Sequence, residues 1–369
     1  MSSKDIGRII SFFNHKGGVG KTTLVYNLGT LLADRGFRVL LIDADPQMNL
    51  TAAMYGLSTS LEYSTDDESK WTQNTQKYIA FPEYLNKDLK DQTSTKELFR
   101  KNSDISNGYV DLISGSITLS DIEADLYGIV KNRNQYTESL PYKFEQSIRK
   151  NNKSYDFILI DTSPSSSSIV NALIMMGTDY FIAPVAPSFF SLQAIDNLSS
   201  IFQNWVGLLG DYQTVQSFKG LSFQPKFLGL VVQMVKRFNG GVDSENTTRF
   251  SSSTEKWIED LNKSVKKFQR FALQREMSIS EEEFKKYFVN GHPFIISKCC
   301  DFTPQLRSIA EKAGVPVVKL TQELCTKYKD SNSQVDITKE KGQYRRSFDS
   351  IVKSYSDVVD GLIKLKNSQ

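Results

Sequence analysis

The chain has 369 residues, 39% of them hydrophobic and 24% charged, and its net charge is only +3. That length buries the core of one large domain with insertions or of two smaller ones, and the near-neutral charge excludes a bulk polycation, so any nucleic-acid surface has to be local. Three cysteines (Cys299, Cys300, Cys325) and two histidines (His15, His292) match no zinc or iron–sulfur spacing, exclude a disulfide framework, and argue against histidine-based triad chemistry.

In chain order, the opening "MSSKDIGRIISFFN" lacks the charged, apolar and cleavage regions of a leader, and no run of about 18 apolar residues marks a membrane span. "RIISFFN" (8–14) reads as a strand, "HKGGVG" as a glycine-rich turn, and Leu24, Leu28, Leu31 and Leu32 as the apolar face of a helix that starts at Lys21 and ends at Gly36. "RVLLID" (38–43) follows as a buried parallel strand, which completes a βαβ unit. Further strand runs are "YVDLI" (109–113), "YDFILI" (155–160), "YFIAPV" (180–185), "KFLGLVV" (226–232) and "PFIIS" (293–297), with helical patterns such as 191–205 and 303–313 between them. This alternation predicts an α/β fold: a doubly wound, mostly parallel sheet with helices on both faces. Residues 58–105 and 236–292 break the alternation and are expected to be insertions on a single domain spanning 1–369. The second is read as a loop, "KRFNGGVDSENTTRFSSST", followed by two charged helices. Residues 326–343 resemble a linker before a last helix over 343–366, whose apolar stripe is expected to pack on the sheet rather than on a membrane.

The chemistry sits at the first turn. Glycines let backbone N–H groups approach phosphate oxygens, a lysine neutralises β/γ-phosphate charge, and the next hydroxyl holds Mg²⁺. Gly17, Gly18, Val19, Gly20, Lys21, Thr22 and Thr23 fit that cradle, and Lys21 and Thr22 fit the lysine and hydroxyl positions. The usual glycine five residues before Gly20 is replaced by His15, and a second lysine, Lys16, precedes Gly17. "LLIDADPQMNLT" (40–51) brings Asp43 and Asp45 to the C-terminal edge of the sheet, two residues apart and on one face if the strand reaches that far. One would order Mg²⁺ and the other an attacking water. "YDFILIDTSPS" (155–165) closes an apolar strand on Asp161, a Walker B carboxylate for Mg²⁺.

With "KGGVGKTT", "LLIDADPQMNLT" and "YDFILIDTSPS" in this order, the chain resembles the ParA/MinD family of deviant Walker ATPases, and within it the ParA-type proteins, whose "DxDPQ" box is similar to "DADPQMN". "APVAPSFFSLQAIDNL" (183–198), "GLVVQMV" (229–235) and "FTPQLRSIAEKAGVPVVKL" (302–320) extend the likeness. The resemblance implies ATP and Mg²⁺ as ligands, a homodimer that sandwiches two ATP molecules, and slow ATP hydrolysis stimulated by a partner of ParB type. By it, Lys21 serves its own nucleotide, Lys16 the partner's, Asp45 positions the attacking water, and Asp43 and Asp161 support Mg²⁺. The chain departs from the family at Ser163, where proline is usual, and in the length of its two insertions. Only seven residues precede the first strand, so an N-terminal DNA-reading domain is not expected.

Many ParA-like dimers bind DNA non-specifically. Here Lys263, Lys266, Lys267 and Arg270 fall at i, i+3, i+4 and i+7, one helix face, beside an apolar stripe of Trp257, Leu261, Val265, Phe268 and Ala272. A cation row of this kind suits phosphate contacts. The expected function is segregation or positioning of DNA or another cargo, in the cytoplasm of a prokaryote and on the nucleoid if DNA is bound. The alternative is an ATP-driven dimerisation switch that acts on a protein partner, in regulation or anti-phage defence, without a DNA matrix. A biosynthetic ligase on the same scaffold would need further catalytic residues, and none stands out.

Overall fold

The computed structural model describes residues 7–56, 65–89, 94–132, 146–150, 154–209, 224–242, 248–289, 291–330, 334–340 and 342–368. Its centre is an eight-stranded sheet. The strands are β1 (Arg8–Phe12), β2 (Arg38–Ala44), β3 (Phe99–Asn102), β4 (Tyr109–Ile113), β5 (Phe157–Thr162), β6 (Tyr180–Val185), β7 (Lys226–Val235) and, after the hairpin of β8 (Arg237–Val242) and β9 (Thr248–Phe250), β10 (Ile295–Cys300). Their spatial order is β10-β7-β6-β1-β5-β2-β4-β3, parallel throughout except for the edge pair β3–β4. β5 and β6 are unbroken runs of buried residues. Both faces of those strands are covered by helices, so both side-chain sets are apolar.

The helices are α1 (Lys21–Asp34), α2 (Asn49–Tyr55), α3 (Thr65–Lys77), α4 (Phe81–Leu89), α5 (Leu119–Asn132), α6 (Ile169–Met176), α7 (Phe189–Leu209), α8 (Ser252–Leu273), α9 (Glu281–Tyr287), α10 (Pro304–Ala313), α11 (Gln322–Tyr328) and α12 (Gln343–Asn367). α1 packs against α12, and α12 against β10, while α7 packs against α8 and α8 against β7. The last helix thus packs on the sheet through buried Ile351, Tyr355, Val358, Val359, Leu362 and Leu365. Among the described residues, no helix is long and apolar enough to cross a membrane. β1 lies between β5 and β6. The path from β1 runs through α1 to β2 on one side, while β5 leads through α6 to β6 on the other. The loop after β1 therefore stands where the strand order reverses, which is where open α/β sheets bind ligands.

The strand expectations hold to within a few residues, and two segments differ in character. Residues 58–105, expected to lie on the scaffold, contribute to it: β3 pairs with β4, and Phe81 and Leu85 are fully buried. Arg100 clamps the fully buried Asp111 with two hydrogen bonds of 2.6 and 2.7 Å, and Tyr155 donates to the same carboxylate at 2.6 Å. An edge strand of "FRKN" has too little apolar content to be read as sheet; it pairs antiparallel with β4, and the charged clamp adds a side-chain tie at the Arg100–Asp111 pair. The stretch read as a loop within 236–292 carries the β8–β9 hairpin. Its Asn-Gly-Gly and polar run conceal the strand pattern. The two charged helices expected after it are α8 and α9.

Candidate functional site

β1 ends one residue before Phe13, and the loop His15–Gly20 joins it to α1. Buried Asn14 anchors the loop: its amide donates to the Pro184 carbonyl of β6 at 2.7 Å, and its side-chain oxygen accepts the Lys16 N–H at 2.9 Å. Gly18 and Gly20 have φ of 73° and 80°, in the left-handed region that other residues reach only with strain. Gly20 is the N-cap of α1 and makes no side-chain cap. The first-turn N–H groups therefore stay free for an anion, with the helix dipole behind them.

Three carboxylates face this helix end, and the structure separates their environments. In the parallel pairing of β2 with β5, Asp43 lies beside Asp161. Asp43 is fully buried and its oxygens are already engaged. One accepts the Thr51 N–H and hydroxyl at 2.8 and 2.6 Å, and the other the Asp45 N–H at 3.3 Å. Burial first, and then the neighbouring Asp161, push its carboxyl up to about 7. β2 stops at Ala44, so Asp45 does not continue the strand face, contrary to the simplest reading of the two-residue spacing. Asp45 instead enters a turn, where it accepts the Gln47 N–H at 3.0 Å, and it lines the cleft. Asp161 is also buried, yet among the described residues neither of its oxygens has a hydrogen-bond partner. Lys21 Nζ stands 3.8 Å away. Burial raises the Asp161 pKa more than Lys21 and Thr22 lower it. A buried carboxylate with open lone pairs, next to a hydroxyl and a phosphate cradle, is a donor set that fits a hard, oxygen-loving cation such as Mg²⁺. No group of three or more His, Cys, Asp or Glu among the described residues forms a protein-only metal cage. Mg²⁺ in phosphate sites takes most of its ligands from phosphate and water, so none is needed.

The two lysines point to different places. Lys21 is buried and directed to Asp161. Lys16 is half-buried at the rim, with its ammonium 4.5 Å from the ring centre of Phe190 and 3.5 Å from Ser188 Oγ. Phe189 and Phe190 are 56% and 63% exposed, unusual for adjacent phenylalanines. The loop after Asp161 is held by buried Asn171, whose amide donates to the Ser163 carbonyl at 3.0 Å, the Ser163 hydroxyl at 3.1 Å and the Ser165 carbonyl at 2.9 Å. A serine where proline is usual thus gains a hydrogen bond that proline lacks.

A family model described as AAA domain (AAA_31) matches residues 7–207, more than half of the chain. Among curated relatives, the chromosome partitioning protein ParA of Caulobacter vibrioides is 30% identical over 210 residues, covering 57% of this chain and 67% of that protein. The sporulation initiation inhibitor Soj of Bacillus subtilis is 29% identical over 194 residues, covering 52% and 64%.

The chain belongs to the ParA/MinD family of ATPases.

An uncharacterized protein of Methanocaldococcus jannaschii is 33% identical over 189 residues, 51% of this chain and 62% of its own length. This ParA/MinD chain thus spans somewhat under two thirds of the first relatives it matches. Among solved structures, pNOB8 ParA is similar with a TM-score of 0.55 at 20% identity, over 99% of this chain and 100% of that one. A Cyanothece McdA variant in complex with ATP gives 0.53 at 17% identity over 96% of both chains. At those identities the likeness is one of fold.

The ParA/MinD cleft has a volume of about 530 Å³, in the range of small-ligand pockets. Its walls bring together all seven predicted cradle residues, Gly17–Thr23, with Lys16 and Asp45. Asp43 and Asp161 stand behind it rather than in its lining. The opposite wall was not legible in the sequence. It holds Tyr26 and Asn27 of α1, Gln233 and Met234 at the end of β7, Cys300–Phe302, Gly314–Val317 and Tyr355 of α12. No spacing links these residues, and only the order of the strands assembles them. Lys263, Lys266, Lys267 and Arg270 lie on the exposed face of α8, with Leu261, Val265, Phe268 and Ala272 buried on the other. Lys263 is paired with Asp260 at 3.1 Å. None of the four lines the cleft.

Proposed function

We propose that this chain is an ATP-dependent sandwich dimer that binds DNA non-specifically and hydrolyses ATP to segregate or position DNA or another cargo, in the cytoplasm of a prokaryote. The observation that carries this reading is the divergence of the two lysines. Lys21 turns inward to Asp161, while Lys16 stays at the rim beside two exposed phenylalanines. A cation at the rim of its own cleft, turned away from Asp161, is available to a second copy docked on that rim, where it would stabilise charge on transferring phosphate oxygens. Thr22 and Asp161 are the residues that would hold Mg²⁺, with Asp43 behind them, and Mg²⁺ would neutralise phosphate charge. Asp45, the carboxylate that lines the cleft, would position the attacking water. A ParA structure bound to nonspecific DNA and a McdA structure with ATP have this fold. The protein as a single domain with two added segments, 58–105 and 236–292, and a stimulating partner of ParB type belong to the same proposal.

The test is ATP binding and mass in solution for three variants. Lys21→Ala is expected to lose nucleotide binding. Lys16→Ala is expected to bind ATP as a monomer without dimerising. Asp45→Ala is expected to accumulate an ATP-bound dimer and to hydrolyse on the order of 100-fold more slowly. Normal hydrolysis by Asp45→Ala would remove it from the water-positioning role, and an unaltered dimer of Lys16→Ala would remove Lys16 from action in trans.

A further inference from the structure

The added segment 58–105 reaches the cleft through a lysine. Lys101, on the edge strand β3, is partly buried, and its ammonium donates to the Tyr26 hydroxyl at 2.9 Å and to the Gly314 carbonyl at 3.3 Å. Both acceptors belong to residues that line the cleft, Tyr26 on α1 and Gly314 at the end of α10. The Tyr26 hydroxyl in turn donates to the same carbonyl at 3.4 Å. Burial raises the pKa of that phenol, so it keeps the proton this bond needs. The three groups close a triangle that joins β3, α1 and α10. Among the described residues no carboxylate pairs with Lys101, and burial, with the charge of Lys70 second, lowers its ammonium to about 8. A desolvated cation without a counter-charge adds little to stability, and both of its hydrogen bonds go to cleft residues.

A second lysine of the segment acts in the same way on the neighbouring helix. Lys70 of α3 donates to the Gly56 carbonyl at 3.0 Å. Gly56 and Gly314 are the C-caps of α2 and α10, and a cation is favourably placed at a helix C-terminus. The two caps touch backbone to backbone: a Cβ built on Gly314 would meet Gly56 Cα at 2.6 Å. α2 starts just after the Asp45–Gln47 turn, and α10 leads into the Gly314–Val317 wall. The segment thus grips an element of each wall.

We propose that Lys101 is a positioning residue for nucleotide binding: it sets the spacing between Tyr26 and Gly314, and through it the added segment 58–105 controls how tightly the cleft closes on ATP. This rests on the reading of the cleft as an ATP site. The phosphates have their own cradle in Gly17–Thr23, and neither Lys101 bond goes there, so the control acts on the ligand beyond its phosphates. Coupling of this kind is reciprocal: ATP in the cleft must hold β3 in place by the same factor that β3 lends to ATP.

The experiment is calorimetric binding of ATP and of tripolyphosphate to the 369-residue chain and its Lys101→Met variant, with amide hydrogen exchange of β3 as the second readout. Lys101→Met is expected to weaken ATP binding by about fivefold to twentyfold, within the range of coupling between sites, and to leave tripolyphosphate affinity unchanged. Its nucleotide-free unfolding midpoint should not fall below the parent's, because the Tyr26 hydroxyl and the Gly314 carbonyl still satisfy each other and a desolvated charge is gone. ATP should slow β3 exchange in the parent by about the same fivefold to twentyfold and have no such effect in Lys101→Met. Tyr26→Phe provides a second variant that keeps the shape of the site. Combined with Lys101→Met, it should cost less than the product of the two single losses, since the two share a bond. ATP affinity within twofold of the parent, an equal loss for tripolyphosphate, a lowered nucleotide-free midpoint, β3 exchange that ignores ATP in the parent, or a fully multiplicative double variant overturns the proposal. A parent chain that binds no ATP overturns instead the functional reading on which it rests.

Discussion

Asp43 and Asp161 sit side by side on adjacent parallel strands, both buried, and the fold tolerates them only by changing their acidity. Asp43 rises from the ordinary carboxylate range to about 7, through burial and its neighbour. The folded state then holds a proton that the unfolded chain releases near pH 4. A group raised in this way stabilises the fold fully below its unfolded pKa, and that contribution is lost as pH rises through the folded pKa. Nucleotide-free protein is therefore expected to lose stability between about pH 4 and pH 7, with a slope from this group of at most about 1.4 kcal/mol per pH unit. Asp43→Asn should flatten that slope in urea unfolding across the window, because the Thr51 bonds to an amide oxygen survive while the charge does not. An identical slope in the variant would place the proton elsewhere. Asp161 is open to a cation and Asp43 is not, a distinction that follows from Thr51 and not from the "DAD" spacing.

At the level of elements, α12 carries a test of how closely the layers pack. Gly361 lies against the Phe288 ring, and a Cβ there would overlap it. Gly361→Ala is expected to cost about 1–3 kcal/mol by overpacking, despite the better helix propensity of alanine, and thermal unfolding would record it. An unchanged midpoint would mean that the ring moves freely. On α8 the prediction concerns its outer face. The exposed row of Lys266, Lys267 and Arg270 has nothing buried to lose, so Lys266→Glu with Lys267→Glu should leave the fold and ATP hydrolysis intact while weakening DNA retention in a low-salt titration. Reversing two phosphate contacts should also reduce the salt slope by about 2. Unchanged retention would favour the competing reading, a switch without a DNA matrix. The helix face itself was legible as i, i+3, i+4, i+7 because its apolar stripe is clean. β3 was not, because an edge strand held by the Arg100–Asp111 clamp has no periodic signature.

For the molecule as a whole, the decisive quantity is the state of association. In the proposed sandwich, a second copy would cover the rim that carries Lys16, Phe189 and Phe190. With ATP and Mg²⁺ the unfolding temperature is expected to rise with protein concentration, because a dimer formed only by folded chains would be linked to folding. Without nucleotide it should be independent of concentration. Ligand binding alone, at about 100 times Kd, adds about 2.7 kcal/mol, so it is the concentration dependence, and not the shift itself, that reports the dimer. A concentration-independent midpoint with ATP present would sink the sandwich.

The sequence by itself determined the βαβ order, the parallel sheet, the cradle Gly17–Thr23 and the three carboxylates, because each is a local pattern: buried apolar runs, glycines before a helix, an acid at a strand end. It also marked Lys16 as surplus to its own loop. Only the tertiary structure decided that Asp43 is occupied while Asp161 is open, that Lys16 rests on Phe190, and that Lys101 meets Tyr26 and Gly314 at the cleft. Those are contacts between residues as many as 174 and 213 positions apart. Strand order and layer packing bring them together, and neither is written in any short stretch of the chain.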